Sequence, residues 1–189
     1  MLSSRQKFAF RSVQHWQNLI KNQGSLLNAI VGDSCIRVDQ HYPLDDWRSP
    51  CTTFQGFYHC HRPDGSREHG HIHLFKRFDG IGLVHLFAIS FDNKGLPLSF
   101  FNVSPKVASD KGLCPLIRAS VVQSGVDSWR TFADKKLSNV LFFIINLIGM
   151  YSDEIGSQMA QEPMCSMARC GKEVMWIYNI NWMADLAKL

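Results

Sequence analysis

The sequence predicts an α+β domain in which an antiparallel β-meander of four to six strands packs against helices. Three observations carry this. Between residues 53 and 104, four strand-like stretches are separated by short turn signals, and short links between successive strands require antiparallel pairing. Ahead of them, Phe8, Ser12, Val13, Trp16, Leu19 and Ile20 fall on one stripe at helical spacing. Behind them, residues 129–161 read as a long helical region whose Leu137, Val140, Leu141, Ile144, Leu147 and Ile148 form a wide apolar face.

In chain order, residues 4–22 form the first helix. Gly24 stops it and Ser25 caps a short helix over 26–31. Residues 35–39 are a short strand candidate. Pro43 and the paired acids Asp45 and Asp46 make 41–47 a loop. Strands follow at about 53–62, 67–77, 83–91 and 96–104, separated by Pro63-Asp64-Gly65, Asp79-Gly80-Ile81-Gly82 and Asp92-Asn93-Lys94-Gly95. The third strand is apolar on both faces, so each side of the sheet is covered. Its register has two solutions. A two-residue turn at Asp79-Gly80 brings Leu86, Ala88 and Ser90 beside the second strand's histidines; a loop one residue longer brings His85 and Phe87 there. Residues 117–122 read as another short strand and 124–128 as loop. The region 129–161 is helical with a break at Gly149, 173–180 is a strand or a helix, and Asn181 caps a last helix to Leu189. A chain of 189 residues suits one domain: N-terminal helices over 1–31, the sheet over 34–122, and a mainly helical part over 129–189.

Composition excludes several classes. A net charge of +4 with scattered Lys and Arg does not describe a dedicated nucleic-acid surface. The apolar run from Val140 is too short for a bilayer, and the first residues lack the core of a signal peptide. Six cysteines without a C-x-x-C pair read as reduced thiols in a cytoplasmic protein. Cys165 and Cys170 are too far from other ligand types to make a metal site by themselves.

The chemistry concentrates in residues 58–73, which hold five of the chain's eight histidines. The Arg62-Pro63-Asp64-Gly65-Ser66 stretch predicts a bulged hairpin loop that pairs His61 with Arg67, His59 with His69 and Phe57 with His71. Residues two apart on a strand share a face, so His59, His61, His69, His71 and His73 point one way. Tyr58, Cys60, Ile72 and Leu74 point to the core, with Gly70 leaving a gap and Glu68 on the core side. Imidazoles at i and i+2 on one strand, with one across the hairpin, can converge on Zn, Fe, Mn or Ni. His59, His69 and His71 are the expected ligands, with His61, His73 and His85 as further ligands or acid–base groups. Arg62 and Arg67 are the expected ligand-binding cations, suited to a small anionic substrate. Lys76 is expected near the histidines as well, as a further cation for a carboxylate or phosphate. The loop with His41, Asp45 and Asp46 is placed to close over this face.

Two other readings fit the same residues. The run His69-Gly70-His71-Ile72-His73-Leu74-Phe75 resembles that of histidine-triad nucleotide hydrolases and transferases, which would make His71 the nucleophile on phosphate, with His69 and His73 as partners. A non-catalytic interaction module is the other reading, with the histidines packed as a polar patch.

The blocks His41-Tyr42-Pro43 with Asp46, Tyr58 to Pro63, Arg67 to Phe75, and His85-Leu86-Phe87-Ala88-Ile89-Ser90 with Gly95 and Pro97 resemble a bacterial family of unknown function. The resemblance runs over about residues 25–104 and more faintly through the later helix. It implies a cytosolic bacterial protein and supplies no established activity or catalytic residue. The segment Val103-Ser104-Pro105-Lys106 departs from the tryptophan-containing continuation of that family.

Overall fold

The computed structural model describes residues 2–32, 35–49, 53–61, 67–103, 115–125, 137–161 and 174–189. Arg62, the 63–65 turn, residues 129–136, Cys165 and Cys170 lie outside the described residues.

Helix α1 (Ser4–Gln23) starts at a capping box: the Ser3 hydroxyl accepts from the Gln6 amide while the Gln6 side chain accepts from the Ser3 amide. It ends at Gly24, whose φ of 78° suits a residue without Cβ. Ser25 then caps α2 (Leu26–Val31) through the Asn28 amide. Strands β1 (Tyr42–Arg48), β2 (Phe54–Cys60), β3 (Gly70–Phe78), β4 (Gly82–Phe91) and β5 (Pro97–Val103) follow. Next come helices α3 (Pro115–Gly125), α4 (Ser138–Met150) and α5 (Ser152–Ala160), then β6 (Val174–Asn179) and α6 (Trp182–Leu186). The six strands form one antiparallel sheet in the order β1-β2-β3-β4-β5-β6, so the fold is α+β as expected.

Four local expectations are corrected. Residues 42–48 are an edge strand, not a loop. A proline lacks only the N–H, and at a sheet edge that donor is not needed. Residues 35–39 contribute only an isolated bridge from Val38 to Cys60. The 117–122 stretch is helical: Pro115 opens α3 at the position where a missing N–H is tolerated, which outweighs the strand preference of Ile117, Val121 and Val122. The helical break falls at Tyr151, between α4 and α5, which meet at 66°. Gly149 stays inside α4, where a Cβ would collide with the Phe8 ring; it is a packing glycine.

One face of the sheet carries the core. Tyr58, Cys60, Ile72, Phe87, Ile89, Phe91 and Phe100 are fully buried there, in one apolar cluster with the helices' Leu19, Leu26, Phe143, Leu147 and Ile155. Each such side chain contributes about 1.5–3 kcal/mol relative to exposure. Trp16 packs on Phe143 and Trp182, joining α1, α4 and α6. No single described helix is long and apolar enough to cross a membrane. The opposite face is different in kind: among the described residues, buried Ala88, Phe101 and Val103 form a small separate cluster there, and beside them lie the histidines.

Candidate metal centre

The β2–β3 ladder pairs His59 with His71, Phe57 with His73 and Cys60 with Gly70. This is two residues from the predicted register. A shift by two preserves the pleat, so His59, His71 and His73 still share a face. A shift by one would have separated them.

On β4 both sequence solutions turn out to be half right. Phe78 pairs with Gly82 across the longer loop, and His85 pairs with Phe75. The ladder then slips between Leu74 and Phe75, so that Leu74 faces Phe87 and His73 faces Ala88. This bulge turns His85 to the histidine face while keeping Ala88 and Ser90 there too. Small Ala88 and Ser90 leave room that Leu or Phe would fill.

His69 leaves the set. Its amide donates to the Phe91 carbonyl, although Phe91 is already opposite Gly70. Two residues thus address one, and alternation fails at the strand start. The His69 ring lies with the core-side residues: Nδ1 is 2.6 Å from the Tyr58 hydroxyl and Nε2 is 3.9 Å from Cys60 Sγ. Gly70 makes this possible, because a Cβ there would strike the Tyr58 hydroxyl and the His59 carbonyl. The same irregular start reverses Glu68. It was expected on the core side, yet its Oε1 lies 2.6 Å from His71 Nδ1. Lys76 is also away from the histidines, over the rings of Phe54 and Phe78.

The converging set is therefore His59, His71 and His73, with one ligand atom from each within 4.8 Å of the others. His59 Nε2 is 2.7 Å from His71 Nε2 and 3.0 Å from His73 Nε2. Hydrogen-bond partners dictate which nitrogens carry protons. A carboxylate only accepts, so His71 Nδ1 donates to Glu68 and its Nε2 is bare. Asn102 Oδ1 lies 3.0 Å from His85 Nδ1, so that nitrogen donates and His85 Nε2 accepts. His73 Nδ1, 2.8 Å from His85 Nε2, must then donate, and His73 Nε2 is bare as well. Two lone pairs face His59 Nε2, which can offer a proton to only one of them.

Burial keeps these rings neutral. Desolvation, helped by the neighbouring imidazoles, holds His59 down at about 3. Burial likewise lowers His85 to about 3, with Asn102 opposing and nearby Arg118 assisting. His73 is lowered by burial and then by His85 and His71. Burial also lowers His71, against the raising effect of Glu68. Neutral imidazole is the form that binds metals. Bonds of 2.0–2.1 Å in a tetrahedral site separate ligand nitrogens by about 3.3 Å, so Nε2 atoms 2.7 and 3.0 Å apart need to open by about half an ångström or less.

The other expected site residues surround this trio. His61 has its ring 4.3 Å from that of His59 and 4.7 Å from that of His71, with Nδ1 3.0 Å from Asp39 Oδ1. His41 stacks on Phe57 at 3.5 Å and is held by Asp46, which Gln55 also binds. Asp46 is thus engaged with His41 and Gln55. Arg67 lines a groove of about 250 Å³ together with Glu68, Ser90, Leu98, Ser99, Ile177 and Asn179. Ser90 is the partner of His71 on β4, and its hydroxyl is 2.7 Å from that of Ser99. Asn102 was missed by sequence reasoning. Its signal was there: a fully buried amide within Phe100-Phe101-Asn102-Val103 needs a polar partner.

A search of curated proteins and a search of solved structures gave no match. Residues 7–163 match a domain of unknown function, and the chain belongs to that family, DUF6969.

Proposed function

We propose that the protein binds one divalent transition ion of the Zn, Fe or Ni class through His59, His71 and His73, and uses it on a small anionic substrate. One observation carries this reading: the Glu68–His71 and Asn102–His85–His73 hydrogen bonds leave two bare nitrogens aimed at a third ring. A cation in their midst satisfies all three. Oxygen acceptors behind metal-ligating imidazoles are the usual outer shell of such sites. Three neutral imidazoles suit these ions better than Mn, which favours carboxylates.

Three protein ligands leave a coordination position open, the arrangement of catalytic rather than structural sites. A bound ion would supply Lewis acidity and a water acidified to near neutral pH. The groove is lined by Glu68 and Ser90, the carboxylate and cross-strand partners of His71, and offers the substrate a place, with Arg67 for a negative group and the serine hydroxyls and Asn179 for polar atoms. Its volume equals about eight waters, which suits a small molecule.

The test is metal analysis of the full chain purified without a histidine tag. The reading expects a stoichiometric transition ion, or its uptake on titration, and its loss in His73→Ala. Absence of any bound or titratable ion overturns it.

A further inference from the structure

We infer a second cation position on the open side of the same face, formed by Asp39, His59 and His61 and sharing His59 with the inner trio. It rests on the inner trio's being a metal site. One ligand atom from each of these three residues lies within 4.8 Å of the other two. His61 Nδ1 is 3.0 Å from Asp39 Oδ1, and the rings of His59 and His61 are 4.3 Å apart.

The backbone fixes this arrangement. Asp39 has a left-handed φ of 59°, which Asp tolerates better than most residues but which a surrounding structure must hold. Here the Val38–Cys60 bridge and the hydrogen bond from the Asp39 amide to the Cys60 carbonyl hold it. The carboxylate is thereby pinned beside the residue that follows Cys60. An exposed Asp–His pair by itself needs no ion. The shared ring distinguishes this pair.

His59 Nε2 faces His71 and His73, so Nδ1 is the nitrogen left for an outer ion. Binding at both nitrogens requires His59 to lose its remaining ring proton to solvent and become an imidazolate. Two flanking cations favour that loss, and the Asp39 carboxylate offsets part of the added charge. The two positions differ in access. The Asp39 and His61 side chains are 70% and 42% exposed, whereas His71 and His73 are 7% and 9% exposed. The outer ion therefore exchanges faster and binds more weakly.

Zinc stoichiometry of the untagged full chain tests this, measured by titration calorimetry and by elemental analysis after dialysis against known free zinc. Two ions are expected, with the weaker one lost in Asp39→Ala and in His61→Ala while the tighter one stays. Copper loading should give the paramagnetic resonance of a coupled ion pair, including a half-field transition. A single ion in the wild type, or two ions unaffected by Asp39→Ala, overturns the outer position and leaves the inner one standing. No bound ion at all overturns the reading underneath, and this one with it.

Discussion

Glu68 Oε1 lies 2.6 Å from His71 Nδ1, although regular pleating would put the two side chains on opposite faces of the sheet. The irregular start of β3 brings them together. The carboxylate then fixes the His71 tautomer and its orientation toward His59. Glu68→Ala should weaken metal binding by about 10- to 100-fold with little loss of fold. Glu68→Gln, which keeps an acceptor oxygen, should fall between. Competition with a chelating dye reads both.

Asn102 has the same task two strands away. Asn102→Ala removes the acceptor from fully buried His85. Losing that hydrogen bond should cost about 0.5–1.5 kcal/mol. It should also let His85 adopt the other tautomer, so that His73 Nε2 is no longer held bare. Urea unfolding of the metal-free protein should show the loss of stability, and the same dye competition the loss of affinity.

Gly70 is where packing and site meet. In Gly70→Ala the new methyl meets the His59 carbonyl and the Tyr58 hydroxyl. Overpacking of this kind costs about 1–3 kcal/mol, and the displaced partner here includes the backbone of a proposed ligand. The variant should lose both thermal stability and metal affinity. Tyr58→Phe removes only the hydroxyl bonded to His69 and should lower stability alone.

The metal-free protein should lose stability as pH falls below about 6.5. Burial depresses the folded-state values of His59 and His85 to about 3 and lowers those of His69, His71 and His73. Between the folded value and about 6.5 the unfolded chain binds protons that the folded chain refuses, so stability rises with pH there. The histidine contribution is complete above pH 6.5 and drains away toward pH 3. Each fully shifted histidine removes about 1.4 kcal/mol per pH unit, so buried His85 alone removes about 2 kcal/mol by pH 5. Half-buried His59 removes less. Denaturant midpoints from pH 7 to 4 check this, and a bound ion should move the decline to lower pH.

The sheet, its antiparallel order and the outer helices were legible because they follow from period and turn residues. The shared face of His59, His71 and His73 was legible for a simpler reason: alternation survives an even error in register. What stayed hidden depended on irregularities. The bulge at Leu86, which delivers His85 as well as Ala88 and Ser90, obeys no local composition rule. The breakdown of alternation at His69 and Glu68 exchanged His69 for His73 in the converging trio and brought a carboxylate to the face. Pro43 and the acids of β1 read as a loop because an edge strand relaxes the demands that a central strand makes.

The central claim is that His59, His71 and His73 hold an ion with their Nε2 atoms. X-ray absorption on the zinc-loaded, untagged chain with Asp39 replaced by alanine addresses it most directly. The account predicts a first shell of three imidazole nitrogens at about 2.0–2.1 Å plus one light atom, falling to two imidazoles or to no bound zinc in the added His73→Ala. A shell containing sulfur, or one unchanged by removing His73, would contradict it.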